Sequence, residues 1–504
     1  MPHPLLYEIN TRCWLRELSD RDGRHVTLGS IPETEFAHWD KLGFSHIWLM
    51  GVWMTGPRSR AEALNNGDLR RAYSEALPDW KVEDVGGSPY AVADYHVSEA
   101  LGGDAGLMQF RQRLHEKGMK LVLDFVPNHL GLDHPWLRSR PELFVQSAQN
   151  APGTFLQESN NGNRWLAHGK DPFFAPWTDT VQLDYRLPDT RQAMTELLLS
   201  VADRCDGVRC DMAMLLLNDV FARTWDHFPI PGPTPETPFW SDAVERVKAE
   251  YSDFLFLAEV YWGLESVLQS QGFDYTYDKV LYDVLLSRNI GGAHYHLTGT
   301  LPQHIAKSAH FLENHDEHRV AATLGLEEQR AAALLMLGLP GLRLLHEGQL
   351  EGARQKIPVQ LVRLLAEEPR PEIEAMYETL LATLKNTSVG KGTAALPRLL
   401  PGWPDNPTLQ NMFVVQWQPG PHEFELVVTN LASHRSQCLV PMGLPELAGH
   451  DWSMIDLLGK DQYVRSGKAM REHGLFLDVE PHGAQIFQFR PVTGSAAIPP
   501  FQPA

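Results

Sequence analysis

Residues 207–211 read Gly207-Val208-Arg209-Cys210-Asp211 and place two opposite charges at the end of a short apolar run. Side chains two residues apart on a strand point to the same face, so Arg209 and Asp211 are expected to lie side by side. The guanidinium would then hold the carboxylate ionised. An ionised, oriented aspartate at the end of a strand is suited to act as a covalent nucleophile. The alternative, on this pentapeptide alone, is a structural Arg–Asp ion pair.

This strand belongs to a series in which strands alternate with helices. Helices are predicted over residues 33–42, 104–117, 190–202 and 371–384. Eight strands separated by helices over about 390 residues indicate an α/β fold of the (β/α)8 TIM-barrel class rather than an open sheet. The predicted strands are residues 5–10, 46–50, 121–125, 207–211, 254–259, 272–275, 310–313 and 341–345.

Two further regions differ in character from this alternating pattern. Residues 131–183 are rich in Pro, Gly, Asn and Trp without a sustained period, which predicts a small subdomain inserted after the third strand. Beyond residue 392, short β-branched and aromatic runs follow one another with no helix between them, which predicts an antiparallel β-sandwich. The predicted domains are therefore a barrel (1–130 and 184–392), an inserted subdomain (131–183) and a C-terminal sandwich (393–504), with a loosely ordered tail from residue 493.

Composition limits the classes of partner. The chain has 504 residues, a hydrophobic content of 43% and a net charge of −19, which argues against nucleic acid and anionic membranes as partners. No apolar run is long enough for a membrane span, and the N-terminus lacks the pattern of an export signal. The four scattered cysteines have no metal-ligand spacing and are expected to be reduced thiols of a cytoplasmic protein. The oligomeric state stays open.

Polar residues gather where four of the predicted strands end. They are Asp124 with Asn128 and His129, Arg209 with Asp211, Glu259, and His315 with Asp316. The C-terminal strand ends of a parallel barrel open onto one face, so these side chains are expected to converge there. Several carboxylates in one pocket suit glycosidic bond cleavage, in which one carboxyl group donates a proton and another attacks or stabilises the transition state. The alternative is that each carboxylate caps a following helix.

Four short segments resemble, in order, the four signature regions of the α-amylase family, glycoside hydrolase family 13. They are Asp-Phe-Val-Pro-Asn-His (124–129), Gly-Val-Arg-Cys-Asp (207–211), Ala-Glu-Val-Tyr (258–261) and Phe-Leu-Glu-Asn-His-Asp (311–316). Weaker similarities occur at residues 43–51, 183–191 and 341–351, so the resemblance covers roughly residues 5–390.

The resemblance implies a role for each matching residue. Asp211 would be the nucleophile, Glu259 the general acid and then the general base, and Asp316 the stabiliser of the transition state. Among the predicted substrate-binding residues, His129 and His315 would bind the sugar, Arg209 would orient Asp211, and Asp124 would support Arg209 and the floor of the pocket. Tyr90 would stack on the sugar, although a loop tyrosine packed on its neighbours is the alternative. Trp262 is a further stacking candidate, for which a core tryptophan is the alternative.

The departures from the family pattern narrow the range of predicted substrates. Met214-Leu215 stands where many starch-degrading members carry Lys-His, which puts endo-acting amylase activity in doubt. Gln182 stands where an aspartate often helps to hold calcium, so no metal of that kind and no cofactor are predicted. Arg319 completes an Asn-His-Asp-x-x-Arg pattern that resembles exo-acting α-glucosidases and sugar-transferring members, where it would bind substrate. A surface arginine paired with Glu313 or Glu317 is the alternative.

The leading hypothesis is a retaining α-glycosidase that cleaves or transfers α-glucosidic bonds in α-glucans, oligosaccharides or small α-glucosides, with a carbohydrate substrate as its partner. A catalytically inactive barrel that binds carbohydrate or serves as a scaffold is the alternative, and the presence of Asp211, Glu259 and Asp316 argues against it. A barrel enzyme for phosphorylated sugars is disfavoured because no glycine-rich phosphate loop leads into a helix. This hypothesis includes both hydrolysis and transfer to an acceptor sugar.

Overall fold

The computed structural model describes residues 2–158, 162–229, 232, 235–420, 423–444 and 446–492. Eight parallel strands form a closed barrel in which each strand pairs with the next and the eighth pairs with the first. The predicted TIM-barrel class is therefore confirmed. The barrel strands are Leu5–Asn10, His46–Met50, Lys120–Phe125, Gly207–Cys210, Leu255–Ala258, Tyr275–Tyr277, Ser308–His310 and Leu342–His346.

The inside of the barrel is filled by alternate side chains of these strands, as the two-residue period of a strand requires. They form a compact apolar cluster that includes Leu6, Trp48, Met50, Val122, Leu255, Leu257, Tyr277, Ala309, Leu342 and Leu344. The fourth strand contributes Arg209, whose guanidinium carbon lies 5.4 Å from the ring centre of Trp48 and 5.9 Å from that of Tyr277. The strand Gly207–Cys210 therefore brings a positive charge into an apolar interior.

Helices surround the barrel and cover the opposite faces of the strands with a second, larger apolar core. The helix at Glu33–Leu42 is confirmed, and those at Gly103–Glu116, Pro188–Ala202 and Pro371–Lys385 differ from the predictions by one to two residues. The remaining helices up to residue 386 are Thr11–Asp22, Pro57–Asn65, Gly67–Ala76, Trp136–Ser139, Asn218–Thr224, Phe239–Glu250, Glu265–Ser270, Lys279–Leu286, Ile290–Gly299, Pro302–Ile305, Val320–Thr323 and Leu326–Gly338. No helix in the described ranges is both long enough and apolar enough to cross a membrane.

Two predicted strands are wrong in position. The sixth strand lies at Tyr275–Tyr277 instead of 272–275, because Gly272 adopts a left-handed turn with φ 108°. The Asp274 carboxylate then accepts a hydrogen bond from the Phe256 amide at 2.8 Å. The seventh strand is Ser308–His310 instead of 310–313, so the residues after His310 form a loop at the barrel mouth.

The segment between the third and fourth barrel strands builds a small subdomain, as predicted. It contains a three-stranded antiparallel sheet of Gln146–Ser147, Arg164–Ala167 and Thr154–Gln157. His129–Gly131 pairs with Thr180–Gln182 at its base. The connection between the second and third barrel strands is also more ordered than the sequence indicated, with a strand pair of Trp53–Thr55 and Val92–Val97 enclosing two helices.

The C-terminal region is an antiparallel sandwich, as predicted. Its six-stranded sheet is formed by Thr393–Ala395, Met412–Gly420, Glu423–Asn430, Ala484–Pro491, Asp451–Asp456 and Gln462–Ser466. The facing sheet is formed by Leu400–Pro401, Ser436–Val440 and Leu475–Val479, with one apolar cluster between the sheets. The expectation that no helix intervenes is wrong, because Gly467–His473 is helical, with Ser466 as its N-cap and Met470 buried. The predicted loose tail lies outside the described residues.

Candidate active site

The guanidinium of Arg209 is the centre of a charged cluster at the C-terminal mouth of the barrel. Its Nη1 donates to Asp211 Oδ1 at 2.7 Å, as the strand periodicity predicts. Its Nη2 donates to Glu259 Oε2, also at 2.7 Å. Arg209 is fully buried, and Asp211 and Glu259 are 6% and 3% exposed. One cation therefore brings together two carboxyl groups that are 48 residues apart in the chain.

Glu259 follows the fifth strand directly and is held by three donors. In addition to Arg209, the backbone amide of Met212 donates to Oε2 at 2.7 Å. The Tyr261 hydroxyl donates to Oε1, also at 2.7 Å. The two oxygens thus differ, because Oε2 accepts from two fixed donors whereas Oε1 meets one rotatable hydroxyl.

Asp211 is buried, and burial dominates its acid–base behaviour. Burial raises the pKa of Asp211 to about 7, and the negative charges of Glu259 and Asp316 act in the same direction. The charge and hydrogen bond of Arg209 oppose this shift. Since Glu259 and Asp316 both act on Asp211, the three acids share one electrostatic site.

Asp316 lies in the loop after the seventh strand, where its charge acts on Asp211, and its side chain is 46% exposed. Its Oδ2 lies 2.9 Å from His315 Nε2. Burial by itself would raise the pKa of Asp316, but the charge and hydrogen bond of His315, together with Arg209, lower it overall. Burial likewise opposes charge on His315, but Asp316 and Glu8 raise its pKa well above the usual value. His315 and Asp316 therefore form a charged pair.

Tyr90 and Glu8 complete the surroundings of His315. The Tyr90 hydroxyl lies 2.8 Å from His315 Nε2, and the two rings stack with centres 5.5 Å apart. Glu8 Oε1 lies 2.5 Å from His315 Nδ1. The guanidinium carbon of Arg209 lies 5.1 Å from the Tyr90 ring centre, which links this group to the acids. Tyr90 therefore lies between His315 and Arg209, beside the cluster of acids.

Asp124 contributes a buried oxygen with spare hydrogen-bonding capacity. Its Oδ2 accepts from the Gly51 amide at 3.0 Å. Its Oδ1 lies 3.7 Å from Arg209 Nη1 and has no hydrogen-bond partner in the described part of the chain. Burial raises the pKa of Asp124 to about 6, against the charge of Arg209. A polar group of a bound molecule would satisfy this oxygen.

His129 lies at the base of the inserted subdomain and contacts the site through Tyr90. Burial lowers the pKa of His129 to about 4, and a hydrogen bond with the Tyr90 backbone opposes this shift. The neighbouring Asn128 accepts hydrogen bonds from the Gln182 side-chain amide at its backbone oxygen (2.9 Å) and at Oδ1 (3.0 Å). This amide pair supplies no carboxylate, so these residues do not fit the oxygen-rich, anionic ligand set of a calcium ion.

The comparison with known families agrees with this arrangement. The model of the alpha amylase catalytic domain matches residues 36–363. The chain belongs to the α-amylase family. The family resemblance expected from the four motifs is thus confirmed.

Two curated relatives of this α-amylase family member show how far the similarity extends. The chain is 26% identical over 358 residues to alpha-amylase MalA of Haloarcula japonica, which covers 69% of this chain and 44% of that relative. It is 24% identical over 304 residues to an alpha-glucosidase of Culex pipiens, which covers 52% of each. The chain spans about half the length of these curated relatives. The crystal structure of a noncanonic maltogenic alpha-amylase AmyB from Thermotoga neapolitana has the same fold, with a TM-score of 0.66 at 19% identity over 97% of this chain and 98% of that one.

Arg319 occupies a different environment from the other predicted site residues of this family member. Its Nη1 donates to Glu313 Oε1 at 2.6 Å in a buried ion pair and also lies 2.9 Å from His346 Nδ1. Among the described contacts, no hydrogen bond joins Arg319 to Asp211, Glu259 or Asp316. It lines a small cleft together with His315, Glu317 and Lys356. The pairing with Glu313 expected as the alternative is present, but the arginine is buried and not on the surface.

Sequence reasoning missed two residues of this α-amylase family site, one that contacts His315 and one that contacts Glu259. Glu8 is fully buried in the first strand, where it fixes His315. A carboxylate within the apolar run Leu5-Leu6-Tyr7-Glu8-Ile9 was the signal that could have revealed it. Tyr261, two residues after Glu259, gave no such signal, because its contact depends on how the loop after the fifth strand turns.

Proposed function

We propose that the protein is a retaining α-glycosidase that cleaves or transfers α-glucosidic bonds by double displacement. The observation that carries this proposal is the Arg209 bridge between Asp211 and Glu259 at the mouth of the barrel. A retaining mechanism needs one carboxylate to attack and one carboxyl group to donate a proton, with the two close together on either side of the bond. Asp316, half-exposed and paired with His315, acts electrostatically on Asp211 from the loop after the seventh strand.

In the first step, an Asp211 oxygen attacks the anomeric carbon of the substrate as the bond to the leaving oxygen breaks. Glu259 transfers its proton to that oxygen, so the leaving group departs as a neutral hydroxyl and a β-glycosyl ester of Asp211 forms. Because Oε2 of Glu259 is held by Arg209 and the Met212 amide, Oε1 is the oxygen that carries this proton. The Tyr261 hydroxyl can turn from donor to acceptor as Oε1 gains or loses it.

In the second step, the Glu259 carboxylate takes a proton from water or from a sugar hydroxyl. The resulting oxygen nucleophile attacks the anomeric carbon and Asp211 leaves as a carboxylate, which restores the α configuration. Hydrolysis and transfer differ only in which acceptor reaches this position. The protein is proposed to catalyse one or both.

The surrounding residues are proposed to bind the sugar that is cleaved. Asp316 would accept hydrogen bonds from sugar hydroxyls and stabilise positive charge, with His315 beside it. Asp124 Oδ1, which lacks a partner in the described part of the chain, would accept another hydroxyl. Tyr90 would cover one face of the ring. His129 and Arg319 are proposed to support this pocket through Tyr90 and through the cleft beside His315.

Short α-glucosides and oligosaccharides are the proposed substrates. Met214 and Leu215 are fully buried or nearly so (0% and 3% exposed), so this segment presents packing residues where many relatives present Lys-His.

The four cysteines are buried free thiols, which supports a cytoplasmic setting.

The test is product analysis with maltotriose, maltose, trehalose, sucrose and glycogen, combined with identification of the anomer released first by NMR. We expect α product from at least one substrate, and an ester on Asp211 in a mass spectrum of protein quenched with 5-fluoro-α-D-glucosyl fluoride. Asp211→Asn is the control and should show neither product nor adduct. A β product would show that the mechanism inverts, and absence of turnover on the whole panel would overturn the proposed function.

A further inference from the structure

We propose that Arg343 and Lys391 form a binding site for a small oxyanion, such as phosphate, outside the barrel. Arg343 is the second residue of the eighth strand, Leu342–His346. Its strand neighbours Leu342 and Leu344 fill the barrel interior, so the Arg343 side chain points outward, away from the proposed catalytic pocket. The site is therefore separate from that pocket, and the inference does not depend on the proposed function.

The Arg343 side chain is buried but is not paired with a carboxylate. The residue is 7% exposed. Its Nη2 donates to the His3 carbonyl oxygen at 3.0 Å, whereas Nε is buried and has no hydrogen-bond partner among the described residues. Arg343 makes no ion pair within those residues, and burial lowers its pKa to about 10. Most N–H groups of this buried cation are thus left without an acceptor, which is unfavourable.

The other buried arginines in the described ranges have several acceptors each. Arg186, Arg209 and Arg319 form ion pairs with buried carboxylates. Arg191 lacks a carboxylate partner, but it donates to two carbonyl oxygens and to a side-chain amide oxygen. Arg343 differs from all four because its acceptors are missing. A bound anion would supply both the acceptors and the balancing charge.

Lys391 supplies a second positive charge beside the guanidinium. The preceding Gly390 has a φ of 78°, and a Cβ atom at Gly390 would lie 2.5 Å from Arg343 Nη2, so this turn passes directly over the guanidinium. Burial lowers the pKa of Lys391, and the charge of Arg343 lowers it further. Lys391 Nζ donates to the carbonyl oxygens of Lys385 (2.6 Å) and Thr387 (3.2 Å), which leaves its third proton for a ligand.

The chemistry of these two groups favours an oxyanion over water. A planar guanidinium matches two oxygens of a phosphate at once, and an ammonium group can bind another. Water would accept hydrogen bonds from Arg343 but would leave its charge unbalanced.

The surroundings of the site indicate what the bound anion would do. Residues 386–392 lead from the last barrel helix to the first strand of the sandwich. His3, which accepts from Arg343, contacts Trp417 of the sandwich with ring centres 5.9 Å apart. An anion on Arg343 and Lys391 would therefore stabilise the junction between the barrel and the C-terminal domain.

The test is isothermal titration of the full-length protein with sodium phosphate at pH 7.5, with sodium chloride at the same ionic strength as a comparison. We expect the wild type to bind one phosphate at this site and its melting temperature to rise with phosphate concentration. Affinity should fall about tenfold in Lys391→Gln, which removes one charge-assisted contact, and binding should be lost in Arg343→Met. Without phosphate, Arg343→Met should melt at or above the wild type, because an unbalanced buried charge is removed.

Arg71→Met is the matched control, because the Arg71 side chain is 73% exposed and pairs with Asp68. It should bind phosphate as the wild type does. Equal phosphate affinity in the wild type and Arg343→Met, or an equal response of the wild type to chloride, would overturn the proposal. So would absence of binding to the wild type at about 10 mM phosphate, a concentration that any site of useful affinity would fill. If Arg343→Met did not fold, an unchanged affinity in Lys391→Gln, at an exposed position, would overturn it equally.

Discussion

Two buried arginines of this molecule, Arg186 and Arg209, differ in how their positive charge is balanced. Arg186 pairs with Asp184 through two hydrogen bonds of 2.8 Å, and its Nη1 donates to the carbonyl oxygens of Trp225 and Phe228. Arg209 faces Asp211 and Glu259 at 2.7 Å each, with Asp124 at 3.7 Å. The first cluster has matched charges and satisfied partners, whereas the second holds more negative charge than its single cation can balance.

This difference separates a structural ion pair from a reactive one. A matched pair keeps both groups ionised and fixes the chain that carries them. A site with excess buried carboxylate favours protonated acids, and burial accordingly raises the pKa of Asp211 and of Asp124. Such a site costs folding stability and is retained where the chemistry needs it.

The largest expected effect is that of Asp211→Asn. Activity should fall about 10⁴-fold, because the attacking oxygen is lost while binding remains. The melting temperature should rise, because the cost of burying an ionised carboxylate disappears. Kinetics on maltotriose and thermal unfolding at pH 5 and pH 8 measure both effects.

The sign of the pH effect follows from linkage. Burial raises the pKa of Asp211 from an ordinary value near 4 to about 7, so the native state holds this proton more tightly than the unfolded chain does. The stability of the wild type therefore declines as pH rises through this window, and the advantage of the Asn variant is greater at pH 8. If the melting temperature of Asp211→Asn were below that of the wild type at pH 8, the ionised Asp211 carboxylate would not destabilise the native state.

Asp184→Asn should act in the opposite sense. It leaves Arg186 buried with an unbalanced charge, so the free energy of unfolding should fall by about 3 kcal/mol. The kcat/KM of the folded fraction should change little. Asp189→Asn, at an exposed position of the next helix, should stay within about 0.5 kcal/mol of the wild type in urea unfolding. If Asp184→Asn and Asp189→Asn lost the same free energy of unfolding, the pair of Arg186 and Asp184 would not be a stabilising structural ion pair.

The pH dependence of kcat/KM should show an acidic limb set by Asp211. The nucleophile must be ionised, so the rate should fall about tenfold per pH unit below about pH 7. His315 and Asp316 should not contribute to this acidic limb, because the pKa of His315 is raised well above its usual value and that of Asp316 is lowered below its usual value. Initial rates from pH 4.5 to 9 measure the profile, and a flat profile down to pH 5 would refute the assignment.

The smallest effect is expected from Tyr261→Phe, which removes the one rotatable donor to Glu259. Losing a hydrogen bond to a charged group should lower kcat on maltotriose about tenfold with little change in KM. Tyr73→Phe is the control, because its buried hydroxyl donates to the Ala63 carbonyl and lies in a separate apolar cluster. It should lower stability by about 1 kcal/mol without changing kcat. If Tyr261→Phe did the same, its hydroxyl would have only a structural role.

Prediction from sequence succeeded where the information is local. Arg209 and Asp211 share a face because they are two residues apart on one strand, and the ion pair follows. It failed at the sixth strand, where an apolar Gly272-Phe273 run reads as a strand but forms a turn. It also left Glu8 unassigned, although a charge in an apolar strand was visible.

The sequence by itself determined the alternation of strands and helices, the positions of the acids at strand ends and the family, because these depend on periodicity and short motifs. Only the tertiary structure decided that one guanidinium joins Asp211 to Glu259, and that Glu8 holds His315 across 307 positions. It also decided that Phe173 meets Trp262. The physical reason is that closing the barrel and folding its loops bring distant residues together, and no local pattern of residues records such contacts.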